Sequence, residues 1–228
     1  MSNEVQIELL PLLPLKNTAL FPHLLMPLSV GRPKSLAAVE AALGSEEKEL
    51  AIVAQRDASV EVPRRDDLYT YGTKAVIRKV ARPAENQIEL LVLGVERIMI
   101  LAVEDTGTYL QAKVQPAPPR IEITAETEAL QRSVIELTQK AVSMAQPQAH
   151  IDLTQLLQVR DDPMKLVYLI ASMMGLGLEK EQALLEVETC TDALRLLHTY
   201  LAHEIQVLEL RTKIADQARH EMTKEQRE

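Results

Sequence analysis

The sequence predicts an α+β protein: a small, partly closed β barrel with one helix, then an all-α bundle that ends in a long protruding helix. Three observations predict it. Ten of the 12 prolines lie at or before Pro119, and five of the seven glycines precede residue 120, so turn-forming residues concentrate in the first half. Short Val/Ile/Leu-rich runs fill that half, whereas spacings of three and four between apolar residues fill the second. The break between them is Gln115-Pro116-Ala117-Pro118-Pro119, an extended, stiff linker by its chemistry. These features divide the chain into a β domain at 1–117, a helical bundle at 118–190, and a long helix at 191–228.

In the first half, Glu49–Gln55 is a continuous apolar run of the kind expected for a buried strand. Ala75–Val80, Ile88–Leu93 and Arg97–Val103 read as three more strands. Tyr109–Gln115 alternates, with Leu110, Ala112 and Val114 on one side. Asp105-Thr106-Gly107-Thr108 is the turn before it. Pro33 suits a first helical position, Leu36, Val39 and Leu43 share a helical face, and Gly44 suits the end. Several short strands with one helix argue for a small barrel.

In the second half, Thr124 caps a helix whose stripe is Leu130, Val134, Leu137, Ala141 and Met144, stopped by Pro147. A short helix is expected from Asp152, carrying Leu153, Leu156 and Leu157. Asp162-Pro163 opens a third, with Leu166, Val167, Ile170 and Met173 inward and Gly175 closing it. A fourth carries Ala183, Leu184 and Leu185. The last begins near Thr191-Asp192 and runs about 35 residues without a breaker, beyond the usual range for globular helices. Leu194, Leu201, Leu208, Ala215 and Met222 recur every seven residues, but Glu204 and Arg211 interrupt the second seam begun by Leu197. After Leu210 the stripe thins, so this part of the helix needs a partner or projects into solvent. The ending Lys224–Glu228 has no capping glycine or proline, as expected for the front of a longer polypeptide.

Composition excludes several functions. With one cysteine, Cys190, an intrachain disulfide and a multi-cysteine zinc site are impossible. A net charge of −8 disfavours a nucleic-acid footprint, and Arg64-Arg65 is too small a basic patch to make one. The N-terminus has no basic region ahead of its apolar stretch, so neither a signal peptide nor a membrane span is expected, and the default location is the cytoplasm. No phosphate-binding loop is present, and Gly175-Leu176-Gly177 reads as a helix cap and turn. His203-Glu204 lacks a second histidine, because position 207 is valine. The five histidines have no ligand spacing, and Cys190 reads as a buried thiol. Asp161-Asp162 reads as a helix cap and Asp66-Asp67 as a solvated loop. No catalytic, cofactor-binding or metal-binding residues are assigned. The dense apolar segment Ala19–Leu28, broken by Pro22 and Pro27, supplies the candidate binding patch: Leu20, Phe21, Leu24, Leu25 and Met26.

The chain resembles the opening region of Lon proteases of the LonA type. The resemblance lies in Leu13-Pro14-Leu15-Lys16-Asn17-Thr18, Phe21-Pro22, Pro27-Leu28, Val30-Gly31-Arg32 with Ser35, Tyr71-Gly72-Thr73-Lys74-Ala75 and Gly94-Val95-Glu96-Arg97. It continues at Asp162-Pro163, Leu184-Leu185-Glu186, Glu204-Ile205-Gln206-Val207-Leu208 and Glu225-Gln226-Arg227-Glu228. It implies a PUA-like β domain, a helical bundle, and a long helix leading to an ATPase domain. It also implies binding of unfolded or damaged proteins, organisation of a homo-hexamer, and ATPase and protease domains further along the same chain. The family's nucleotide-binding motif and Ser–Lys pair are absent from these residues, so the fragment is expected to need no cofactor and to catalyse nothing. Pro14, Gly31, Arg32 and Gly72 match the family's early motifs and read as structural. A stand-alone adaptor or regulator of the same fold, and a mainly structural assembly arm, are the alternative readings.

Overall fold

The computed structural model describes residues 6–145, 156, 158, 159 and 161–225, with side chains through Arg219. Six strands and five helices are described: β1 Glu8–Leu15, β2 Leu25–Val30, α1 Pro33–Leu43, β3 Glu49–Ala54, β4 Tyr71–Ala84, β5 Gln87–Asp105, β6 Leu110–Pro116, α2 Ala125–Ala145, α3 Pro163–Met174, α4 Leu178–Glu186 and α5 Cys190–Glu225. The short helix expected from Asp152 lies, apart from Leu156, outside the described residues. The chain forms two compact units. One holds Met1–Arg120 and Ala171–Glu188, the other Ile121–Ile170 and Thr189–Glu228.

In the first unit the strand order is β2-β5-β4-β3-β1-β6, and β5 also pairs with β6. That extra pairing closes the sheet into a barrel, as the sequence predicted. All pairings are antiparallel except β1 with β3. β3 is buried on both faces, which explains its unbroken apolar run. Leu50 and Ile52 join one core cluster with Val39 and Ala42 of α1. Ala51 and Val53 join a second cluster with Leu12, Ile98, Ile100 and Val114.

Two sequence expectations change here. Ile88–Leu93 and Arg97–Val103 are halves of one 19-residue strand, β5. Gly94 does not end the strand; it lets another piece of backbone cross it. The Gly94 amide donates to Leu24 O at 2.9 Å, and Gly94 O accepts from the His23 amide at 2.8 Å. A Cβ at position 94 would sit 2.3 Å from Phe21 O. Gly72 plays the same part on β4, where a Cβ would meet Ile52 O at 2.4 Å. The buried face of α1 also differs. Ser35, Ala38, Val39 and Ala42 point inward, leaving Leu36 and Leu43 half-buried. Gly44 follows the helix in a right-handed conformation, so it supplies no left-handed cap.

Lys74 stitches three strands of this barrel. Its Nζ lies 3.1 Å from Glu8, 3.1 Å from Glu96 and 3.7 Å from Glu49, carboxylates of β1, β5 and β3. Burial alone would lower its pKa, but the hydrogen bonds from Glu96 and Glu8 and the charges of Glu49 and Glu8 outweigh burial and raise it above 10.5. A cation whose folded pKa is raised stabilises fully below its unfolded pKa and loses that contribution as pH rises through the folded one. The barrel of the parent protein is therefore expected to lose stability above about pH 10.5 relative to a Lys74→Met variant. Urea unfolding of both proteins at pH 9 and pH 11 measures the difference.

In the second unit, Thr124 caps α2 as expected: its hydroxyl accepts from the Thr127 amide at 3.1 Å. The buried stripe of α2 is Thr127, Val134, Thr138 and Ala141, with Leu130, Leu137 and Met144 half-buried. The Thr138 hydroxyl satisfies itself on Val134 O at 2.6 Å. α3 opens on Asp162, whose carboxylate accepts from the Lys165 amide at 3.1 Å, and ends at Gly175, with φ of 57°. α5 is 36 residues long, close to expectation. Ala193, Leu194, Leu197, Leu201 and Ile205 form its buried stripe. Arg195 pairs with Glu126, and Lys140 pairs with Glu209 at 2.8 Å. Both pairs span 69 residues, so α2 and α5 run parallel. From Arg211 to Arg219 every α5 residue is exposed. Cys190 is buried, its sulfur accepting from the Glu122 amide at 3.2 Å and donating to Glu122 O at 3.4 Å.

Candidate functional site

β2 is an edge strand that pairs only with β5, in the register Leu25↔Leu93, Pro27↔Leu91, Ser29↔Glu89. Pro27 is tolerated there because an edge strand needs no inward donor at every residue. Alternation puts Met26, Leu28 and Val30 toward the core together with Ile88, Leu90 and Val92. Leu25, Pro27, Leu91 and Leu93 are consequently on the outer face. β4 continues the rungs, with Val76 opposite Leu93 and Lys79 opposite Leu91. Leu25–Leu93–Val76 is thus an apolar rung across three strands, followed by Pro27–Leu91–Lys79. Pro27, Ser29, Lys79, Ala81, Glu89 and Leu91 wall an open groove of about 530 Å³ on this sheet.

The five residues singled out from the sequence separate in the structure. Leu20 and Phe21 are core residues, each 2% exposed, with Leu20 packed in the cluster beneath α1. Leu24 and Met26 are half-buried. Leu25 is 58% exposed and heads the apolar rung. The segment is held from both ends. Glu181 of α4 accepts from the Thr18 hydroxyl and the Ala19 amide, both at 3.2 Å. The Thr73 hydroxyl donates to Leu20 O at 2.5 Å. With its backbone pinned there and at Gly94, the chain turns Leu20 and Phe21 inward and presents Leu25 outward. Sequence reading missed Val76, Leu91 and Leu93. Their signal was the alternation of Ile88–Leu93, whose two apolar faces cannot both be interior in an outer strand layer.

α4 is fastened to the barrel by polar contacts. Arg97, only 5% exposed, donates through Nη1 to Leu185 O at 2.8 Å and also to Val187 O, while Nε donates to Ala117 O. Its guanidinium lies 4.8 Å from the centre of the Tyr71 ring. Gln182 donates to Tyr71 O at 3.0 Å. Arg32, from the early motif, is likewise structural: it donates to Gln55 Oε1 at 2.6 Å and to Pro14 O. Arg65 donates to Ile100 O at 3.1 Å. Among the described residues no cluster of three or more His, Cys, Asp or Glu could hold a metal ion.

An apolar sheet face with a groove and a fixed frame behind it can bind apolar side chains. Residues 9–203 match the model of the family described as the ATP-dependent protease La (LON) substrate-binding domain. The chain is 44% identical over 218 residues to a Lon protease of Nitrosococcus oceani, covering 96% of this chain and 28% of that protein. It is 32% identical over 219 residues to the Lon protease of Escherichia coli K12, again spanning 28% of its length. In fold it matches the N-terminal domain of a Mycobacterium avium complex Lon protease, with a TM-score of 0.68 at 24% identity over 86% of this chain and 98% of that one. A Lon N-terminal domain protein from Xanthomonas campestris matches with a TM-score of 0.57 at 17% identity, over 83% of this chain and 96% of that one. The chain therefore belongs to the Lon substrate-binding domain family and corresponds to the N-terminal region of a Lon protease.

Proposed function

We propose that this chain captures unfolded or damaged proteins for a Lon-type ATP-dependent protease through the outer face of β2, β5 and β4. The observation that carries the reading is the outward-facing rung Leu25–Leu93–Val76, with Leu25 exposed and Leu93 and Val76 half-buried, and with Pro27 and Leu91 beside it. Unfolded chains expose the apolar side chains that folded proteins bury, and such a face binds them without strict sequence. In this reading the chain binds, and ATP hydrolysis and peptide cleavage belong to other domains of the longer protein. Six copies in a ring would convert weak single contacts into avid capture. In this reading the chain works in the cytoplasm.

Replacing Leu25 by Ser leaves the core untouched, because the side chain points outward. Leu25→Ser combined with Leu93→Ser is expected to weaken binding of a labelled, permanently unfolded protein by about tenfold, the equivalent of about 1.4 kcal/mol. Fluorescence anisotropy measures it, and unchanged affinity in a variant with wild-type circular dichroism removes this face from the binding surface.

A second reading has its own observation. Leu210 and Ile214 are exposed on α5, within a stretch that the second unit does not bury. α5 would then also serve assembly of the hexamer. Light scattering of the chain across a concentration range tests whether it associates.

A further inference from the structure

β2 leaves one edge of the sheet open. It pairs with β5 on one side and with no other strand among the described residues. Its hydrogen-bond phase follows from the bulge that precedes it. The His23 amide donates to Gly94 O at 2.8 Å and the Gly94 amide donates to Leu24 O at 2.9 Å, with His23 at a φ of 67°. Leu24 therefore bonds toward β5, and bonding toward and away from β5 alternates from there along the antiparallel pair. Met26, Leu28 and Val30 bond to β5. The main-chain groups of Leu25, Pro27 and Ser29 point to the open side, where none has a backbone partner among the described residues. Pro27 agrees with this phase, because its missing N–H takes nothing from the ladder with β5.

The open edge thus offers the amides of Leu25 and Ser29 as donors and the carbonyls of Leu25, Pro27 and Ser29 as acceptors. Edges of this kind are ordinarily covered or guarded by charge. β2, with the sequence LMPLSV, carries no charge, and Leu25, Pro27 and Ser29 are exposed. Alternating unpaired donors and acceptors specify an extended backbone as the occupant, which an apolar face alone does not. Pro27 also decides which backbone. Two copies of β2 paired antiparallel about Pro27 lose both central hydrogen bonds, whereas a partner without proline at that place loses one. Lys79 and Glu89, of opposite charge, both border the adjoining groove, so the site asks for no net charge in its occupant.

We infer that the open edge of β2 takes an extended, proline-free segment of an unfolded chain as an added antiparallel strand. The inference rests on the capture of unfolded protein by the adjoining face and states how the segment is held. Leu25 and Ser29 each exchange two hydrogen bonds with the segment, and the Pro27 carbonyl accepts one more. Every second side chain of the segment then stands on the outer face and extends the rungs that begin at Leu25 and Pro27. The class selected is a segment with apolar residues at alternate positions and free amides, not an amphipathic helix.

The test uses the ¹⁵N-labelled chain and three forms of the peptide acetyl-Lys-Thr-Leu-Thr-Leu-Thr-Leu-Thr-Lys amide: unmodified, N-methylated at its leucines, and N-methylated at its inner threonines. With the leucines on the outer face, their amides point at β2 and the threonine amides point away. The unmodified and threonine-methylated forms should bind with similar affinity and slow the exchange of the Leu25 and Ser29 amides. The leucine-methylated form should bind about tenfold more weakly. Pro27→Val restores a donor and should tighten binding several-fold, a gain that misfolding cannot mimic. Equal affinity of the two methylated forms, or no binding of the unmodified one, would overturn edge pairing. Leu25 and Ser29 amides already protected in the free chain, increasingly so with its concentration, would place a second copy on the edge and overturn it too. The apolar face is judged separately, by the Leu25→Ser/Leu93→Ser variant with unfolded protein.

Discussion

Arg97→Ala is expected to lower the stability of the first unit by about 3–5 kcal/mol, the cost of stripping a buried charged partner from its acceptors. At least three carbonyls, of Ala117, Leu185 and Val187, lose their donor together, each worth about 1–3 kcal/mol when left buried and unpaired. Two of them belong to the end of α4 and the residue after it, so the loss should be local as well as global. Limited proteolysis between residues 175 and 190 should accelerate before the barrel unfolds. Arg97→Lys keeps the charge but cannot reach three acceptors from one planar fork, and should recover less than half of the loss. A thermal midpoint of Arg97→Ala within 2 °C of the parent would contradict this account of α4.

Gly94→Ala is the second large effect. The added methyl would lie 2.3 Å from Phe21 O and 3.1 Å from Phe21 C, both backbone atoms. A flexible side chain could move aside, but here the obstacle is a strand-like segment bonded to Gly94 itself through His23 and Leu24. Overpacking costs about 1–3 kcal/mol where side chains can adjust, so the upper end or beyond is expected. The consequence reaches the proposed binding face, because displacing Phe21–Leu24 tilts β2 and moves Leu25. Binding of unfolded protein should fall with stability, and amide exchange of β2 should rise ahead of that of β3. Gly107→Ala serves as the control, since nothing lies within 4 Å of a Cβ there, although its φ of 88° carries a smaller strain of its own.

What could be read in the sequence was local. α1, β3 and α5 were legible because proline at a helix start, a short unbroken apolar run and a breaker-free stretch act within the element that carries them. The continuity of β5 was not, because Gly94 looks like a break in one dimension. Only the crossing of Phe21–Leu24 shows that its missing Cβ makes room. β1 was hidden for a similar reason. Pro11 and Pro14 suggest interruption, yet a proline loses only its donor, and the Pro14 carbonyl still accepts from Arg32. Arg97 stood inside a recognisable motif, but its partners lie 20, 88 and 90 residues away.

The candidate site was half legible. An apolar segment with two prolines marked a stretch that runs into the edge strand β2, and Leu25 does reach the surface. Hydrophobicity alone could not separate Leu25 from Leu20 and Phe21, because that choice is made by where Glu181, Thr73 and Gly94 pin the backbone. The partners Leu93, Leu91 and Val76 come from two other strands, so only the register brings them together.

The central claim is that these 228 residues recognise unfolded protein through an apolar sheet face. The most direct measurement is the affinity of the chain for one labelled protein in two forms, permanently unfolded and folded, with the Leu25→Ser/Leu93→Ser variant alongside. The account predicts selective binding of the unfolded form and its loss by about tenfold in the variant. Equal binding of both forms, or selective binding that the variant retains in full, would contradict it.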